Sequence, residues 1–155
     1  MDWAEVVNNP ILKDLPFKIE LNKFGKILMS PASNKHGRIQ SRMAANLINN
    51  LPSGEVITEC SIHTSDGVKV ADVAWASDEF IKSFDYQTPY PKAPEICIEI
   101  VSPSNSKTEI SEKVDLYLAK GAEEVWVVYE DARIITFTHA GVTEHSVIAL
   151  DAQSL

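Results

Sequence analysis

The sequence predicts an α/β (α+β) sandwich, a mixed central β-sheet flanked by two main helices. Three observations carry that expectation. Two segments repeat apolar residues at helical spacing, several short runs are alternating or continuously apolar as strands are, and turn-forming residues punctuate the boundaries. At 155 residues, 45% hydrophobic and 23% charged, the chain has ordinary globular composition and the length of one domain, so a single domain spanning 1–155 is expected. Fibrous, disordered and disulfide-scaffold classes are excluded.

Phe17 to Leu21 and Lys26 to Met29 read as two short strands around Asn22-Lys23-Phe24-Gly25. A helix starts near Asn34 with Ser33 or Asn34 as its cap, and Ile39, Met43, Leu47, Ile48 and Leu51 form its apolar stripe. Pro52-Ser53-Gly54 turns the chain into two runs, Glu55 to Thr64 and Val68 to Ala76, joined by the hairpin-type turn Ser65-Asp66-Gly67. Ser77 to Phe84 forms a short helix, and Thr88 to Pro94, rich in proline, forms a stiff extended loop.

Glu95 to Val101 is apolar on both pleat faces apart from Glu95 and Glu99, as in a strand covered on both sides. The second main helix runs from about Thr108 to Lys120, with Ile110, Val114, Tyr117 and Leu118 facing the core and Gly121 as its stop. Glu124 to Tyr129, Arg133 to His139 and Val142 to Leu150 read as three added C-terminal strands.

No window approaches the roughly 20 apolar residues of a bilayer-spanning helix, and the first ten residues lack the basic-then-apolar layout of a secretory signal. A cytoplasmic protein is expected, with Cys60 and Cys97 as reduced, structural residues in apolar runs. A net charge of −8 argues against a general nucleic-acid coat protein, which relies on a basic face. An enzyme that meets nucleic acid through a local basic cleft is compatible with it. Lys35, His36, Arg38, Arg42, Lys107 and Lys113 are the local candidates. No glycine-rich phosphate loop, G-x-S-x-G elbow or Cys-x-x-Cys pair is present, so nucleotide-dependent, serine-nucleophile and dithiol chemistries lack support.

Carboxylate placement is the informative anomaly. Asp72 lies within Val70-Ala71-Asp72-Val73-Ala74-Trp75-Ala76, and Glu99 within Ile98-Glu99-Ile100-Val101. Aspartate is disfavoured in strands, and a carboxylate inside a sheet is costly unless paired or bound to a cation. Two such acids on neighbouring strands would form a compact oxygen site suited to a hard divalent metal; each could instead face water near a strand end. Glu109 and Lys113 stand at i,i+4 in the order of a surface ion pair. Lys113 also borders the core stripe beside Val114 and Tyr117, from which its stem could run along the sheet towards a strand end.

The segments Ala71-Asp72-Val73-Ala74, Ala93-Pro94-Glu95-Ile96-Cys97-Ile98-Glu99-Ile100-Val101-Ser102-Pro103-Ser104, Ser111-Glu112-Lys113-Val114-Asp115-Leu116-Tyr117 and Gly121-Ala122-Glu123-Glu124-Val125-Trp126-Val127-Val128 resemble the Uma-two family of restriction-endonuclease-like proteins, part of the PD-(D/E)xK nuclease superfamily. Met29-Ser30-Pro31-Ala32-Ser33 with His36 is similar to that family's amino-terminal segment, and the resemblance covers about residues 17–140.

The resemblance implies a restriction-endonuclease-like core. It implies that Asp72 and Glu99 hold Mg²⁺ (or Mn²⁺), helped by the Ile100 carbonyl. The superfamily lysine two residues after the acid is Val101 here, and the resemblance points to Lys113 in its place. Val101 projects to the same face as Glu99, so an amine from the covering helix could fill the vacated position. The chain departs from the pattern in three places. Ala71 replaces the motif proline, Glu109 stands where the family carries aspartate, and Asn34 to Asn50 contains no acid.

His36 and Gln40, one turn apart, either face the cleft or serve capping and solvent roles. Glu59 is an outer ligand or a solvated edge charge, and Tyr117 a supporting residue. His63, His139 and His145 have no ligand spacing. The expected function is Mg²⁺-dependent hydrolysis of phosphodiester bonds, with DNA as the first candidate substrate. The alternative is a catalytically inactive nuclease-fold module that binds nucleic acid or a protein partner. A homodimer would supply two sites for two strands, with the C-terminal strands beyond Tyr129 as the candidate interface.

Overall fold

Ile96–Ile100 is buried on both faces, and that requirement organises the molecule. The computed structural model describes residues 1–155. Its elements run α1 (Trp3–Val7), β1 (Phe17–Leu21), β2 (Ile27–Pro31), α2 (Asn34–Asn50), β3 (Glu55–Thr64), β4 (Gly67–Ala76), α3 (Asp78–Phe84), β5 (Ile96–Ile100), α4 (Lys107–Ala119), β6 (Glu124–Val128), β7 (Ile134–Thr138) and β8 (Gly141–Thr143), then a 3-10 turn at Leu150–Ala152.

Six strands form one sheet in the order β3-β4-β5-β6-β7-β8. All neighbours are antiparallel except β5 and β6. A parallel pair needs a crossover connection, and α4 is that crossover. It covers one face of the sheet, packing Ile110, Val114 and Tyr117 with Ala74, Cys97 and Val127. The other face is covered by α2, whose Ile39, Met43 and Leu47 pack with Val73, Ile98 and Trp126. This is the mixed α/β architecture expected from the sequence.

Local signals set the boundaries. Ser33 caps α2 by accepting from the His36 N–H at 3.1 Å, and Ser106 caps α4 by accepting from the Glu109 N–H at 3.1 Å. Gly67 turns the β3–β4 hairpin with φ of 76°, and a Cβ there would collide with the backbone of Leu21 and Asn22. That close approach brings the separate β1–β2 hairpin against β4, where Leu21, Val68 and Val6 of α1 form a small core of their own.

Three details differ from expectation. The α1 helix is additional, nucleated by a capping box in which Asp2 and Glu5 bond each other's backbone N–H. Ile48 is 63% exposed and lies outside the apolar stripe. It falls nine residues after Ile39, about half a turn around the helix.

Finally, Val142 to Leu150 is not a strand, because β8 ends at Thr143. Buried Glu124 diverts the chain by accepting from the N–H of Val147 at 2.8 Å and of Ile148 at 3.3 Å, and from the Ser146 hydroxyl at 2.6 Å. Those groups are satisfied outside any ladder, and the segment then tucks Ala149 and Ala152 beneath α2. No helix is long and apolar enough to cross a membrane.

Two neighbouring aliphatic positions on α2, Leu47 and Ile48, test this packing. Leu47→Ala should lower unfolding free energy by about 2–5 kcal/mol in urea titrations. Ile48→Ala, on the exposed face, should stay within about 0.5 kcal/mol of the parent.

Candidate active site

The site forms where the β3–β4 ladder is interrupted. Thr58 pairs with Val73 and Cys60 with Ala71, but Glu59 and Asp72, between them, do not pair. Glu59 takes a left-handed φ of 54°, a conformation costing a non-glycine residue about 1–2 kcal/mol. Gln40 of α2 bridges the break, donating through Nε2 to the Asp72 carbonyl at 2.8 Å and to Glu59 Oε1 at 2.7 Å. The β4–β5 ladder stops beside it at Val73–Ile98. There the Asp72 side chain takes over, its Oδ2 accepting from the Ile100 N–H at 2.8 Å.

Both acids are buried, Asp72 to 1% and Glu99 to 3% exposure. Each is anchored by one oxygen and points the other at a common position. Glu99 Oε1 accepts from the Tyr117 hydroxyl at 2.6 Å, which rises from α4 beneath the strand. Asp72 Oδ1 and Glu99 Oε2 both face the Lys18 ammonium, at 3.1 and 3.4 Å. His36 Nε2 approaches Asp72 Oδ1 at 3.3 Å from the start of α2. Lys113 lies 3.6 Å from Glu99 Oε2 and 2.9 Å from Glu20 Oε1. Glu20 is fixed in turn by the Val70 N–H, 2.7 Å from its Oε2.

The expected surface pair of Lys113 with Glu109 is therefore not formed, and Glu109 instead accepts from Asn105 Nδ2 at 3.1 Å. An exposed i,i+4 pair is worth only a few tenths of a kcal/mol, whereas a buried carboxylate without a cation is strongly disfavoured. The amine follows the larger demand.

Charge shifts express the same competition. Burial opposes the carboxylate form of Asp72, but the Lys18 ammonium and the His36 ring outweigh it and hold its pKa below the ordinary aspartate value. Glu99 goes the other way: burial raises it, with Lys113 and Lys18 pulling against that rise. Burial likewise works against a charged Lys18, yet Glu99, Asp72 and Glu20 together raise its pKa. His36 is raised by its hydrogen bond to Asp72.

These groups wall a cleft of about 260 Å³. Asp72, Glu99, Ile100 and Lys113 line it, as do His36, Gln40 and Glu59. Tyr117 is fully buried below and does not reach it, acting on Glu99 alone. Glu59 is at once exposed and tied to Gln40. Arg38, Arg42 and Lys107 are exposed outside the cleft, and Lys35 pairs with Glu130 at 3.8 Å.

Lys18 and Glu20 escaped the sequence reading. They occupy alternate positions between Phe17, Ile19 and Leu21, so they share one strand face, and the polar face of a short amphipathic strand ordinarily meets water. Here it meets two buried acids. The alternation was a usable signal only once a neighbouring charge demand was known.

The donor chemistry fits a hard divalent cation. No group of three or more His, Cys, Asp or Glu side chains is arranged to hold a metal. The available set is the two carboxylate oxygens of Asp72 and Glu99 that face the cleft, and Mg²⁺ binds through one or two carboxylates while keeping its waters. The Lys18 ammonium, itself a cation, stands between those oxygens.

Tyr117→Phe tests the support beneath Glu99. Losing the donor to the charged form should raise the Glu99 pKa further, read from its carboxyl resonance during an NMR pH titration, and should lower stability by about 1–3 kcal/mol.

The Uma2 family, described as "Putative restriction endonuclease", matches residues 11–152. The structure is similar to the crystal structure of "a putative nuclease belonging to DUF820" from Anabaena variabilis, with a TM-score of 0.70 and 19% identity over 88% of this chain and 86% of that one. At that identity the likeness speaks for the fold. No curated relative matches the chain. The family match spans nearly the whole sequence, and the chain belongs to the Uma2 family of restriction-endonuclease-like proteins.

Proposed function

We propose that this protein is a metal-dependent endonuclease that hydrolyses phosphodiester bonds in DNA. One observation carries the reading: two buried carboxylates on adjacent strands each commit one oxygen to a structural hydrogen bond and direct the other at a shared cation position. Asp72 and Glu99 would hold Mg²⁺ or Mn²⁺, with the Ile100 backbone alongside. Such an ion supplies positive charge to the scissile phosphate and lowers the pKa of water.

The protein's own groups do the positioning. Tyr117 and the Ile100 N–H fix the two carboxylates, so their orientation does not have to be found during the reaction. Lys113, held by Glu20 at the rear, presents a fixed positive charge beside Glu99, where it would steady negative charge developing on the phosphate. His36 and Gln40 form the α2 wall of the cleft.

DNA as the substrate draws support from Lys35, Arg38 and Arg42, exposed at helical spacing on the amino-terminal half of α2, the half that also lines the cleft through His36 and Gln40. With a net charge of −8, the rest of the surface would repel the backbone and confine contact to that side. Two such sites in a homodimer would reach both strands. Cys60 and Cys97 are buried free thiols, in keeping with a cytoplasmic setting.

A second reading, a nuclease fold that binds nucleic acid or a partner without catalysis, is favoured by the Lys18 ammonium standing where the ion would sit. Calorimetric titration with Mn²⁺ separates the two. Saturable binding that Asp72→Asn and Glu99→Gln each remove supports the enzyme, and no binding supports the inactive module.

The same two variants should lose Mg²⁺-dependent cleavage of plasmid DNA while keeping the parent's circular dichroism. Lys113→Met should slow cleavage by about 10²-fold or more. Parental rates in Asp72→Asn and Glu99→Gln would refute the assignment.

A further inference from the structure

Of the two lysines in the cleft, Lys18 is the one that hydrolysis as described does not use. It comes from β1, outside the six-stranded sheet, and its ammonium is the only group within contact distance of both cleft-facing oxygens, 3.1 Å from Asp72 and 3.4 Å from Glu99. We propose that Lys18 is a tethered counter-cation, which fills the ion position in the metal-free protein and sets the affinity for the divalent ion by competing with it. The inference rests on the metal-site reading above.

Three features support it beyond proximity. The first is charge. Asp72, Glu99 and Glu20 are three buried carboxylates facing two ammonium groups, Lys18 and Lys113, so the cluster is one positive charge short when His36 is neutral. Exchanging one ammonium for a divalent ion closes that gap, and exchanging it for another monovalent cation does not.

The second is the unequal hold on the two lysines. Lys113 is fixed by Glu20 at 2.9 Å, and Glu20 is itself fixed by the Val70 N–H. Lys18 has no acceptor apart from the two acids that would receive the ion. Displacing it breaks no other hydrogen bond or ion pair, and the incoming ion neutralises the two carboxylates it leaves.

The third is the exit. Lys18 lines the cleft, retains 12% exposure, and carries the charge on a four-carbon stem. A change of side-chain rotamer can withdraw the amine into the cleft without moving β1. An ion must therefore bind to the fraction of molecules in which the lysine has left, and its apparent affinity falls by that fraction. In exchange, the metal-free site keeps its two acids compensated and in place.

The experiment uses Mn²⁺ alone, by isothermal titration calorimetry, on the full chain and on Lys18→Met and Lys18→Arg. Methionine keeps the stem and removes the competitor, so Mn²⁺ should bind about tenfold tighter or more than to the parent. Arginine retains the charge and offers a planar fork to two carboxylates, so binding should be weaker than the parent's.

A measurement on the unmutated protein guards against a variant that fails to fold. Acylation of Lys18, followed by mass spectrometry, should be slow without metal and rise about fivefold or more at saturating Mn²⁺, as expected when a closed state becomes an open one. Lys113 should change little. Mn²⁺ that binds the parent and Lys18→Met equally, or that leaves Lys18 acylation unchanged, overturns the competitor role while the metal site stands. Absence of Mn²⁺ binding to both parent and Lys18→Met overturns the metal site itself, and the competitor role with it.

Discussion

Two carboxylates buried within reach of one cation impose the constraint from which the rest of the arrangement follows. In a poorly polarisable interior neither Asp72 nor Glu99 is tolerable alone, and side by side they repel. The surrounding residues answer that demand. Lys18 arrives from a hairpin that lies outside the main sheet and packs on β4, and Lys113 forsakes Glu109 on its own helix for Glu99 and Glu20. Even backbone is diverted, since the Ile100 N–H bonds a side chain where a ladder would supply a carbonyl.

The fold makes that concentration of charge possible by ending its ladders early. Beyond Val73 and Ile98 the β4 and β5 strands cease to pair, and at Glu59 and Asp72 the β3–β4 ladder skips a step. The opening lies between the start of α2 and the α4 face, so both helices contribute: Gln40 clamps the break from one side, and Tyr117 holds Glu99 from the other. A parallel β5–β6 pair forces the α4 crossover across this face, and the helix that closes the core is therefore also the one that carries Lys113.

Much of this was legible in the sequence for identifiable reasons. Asp72 and Glu99 stand out because an acid among aliphatics in a strand is a local conflict, and conflicts concentrate where a site is built. The α2 and α4 faces follow from helical periodicity, and the start of α2 from its polar cap at Ser33. What escaped were residues whose role depends on distant partners. Lys18 and Glu20 look like the wet side of a short strand until the cleft is known. Val142 to Leu150 looks like a strand until Glu124, eighteen residues upstream of Val142, captures the N–H groups that a ladder would need. Ile48 needed only the helical angle to be counted.

The central claim is that the two acids share one ion, and diffraction from crystals soaked in Mn²⁺ tests it most directly. The account predicts a single anomalous peak between the carboxylates of Asp72 and Glu99, with the Lys18 side chain turned away from them. Crystals that show no peak there at saturating Mn²⁺, with the lysine still lodged between the acids, would contradict it.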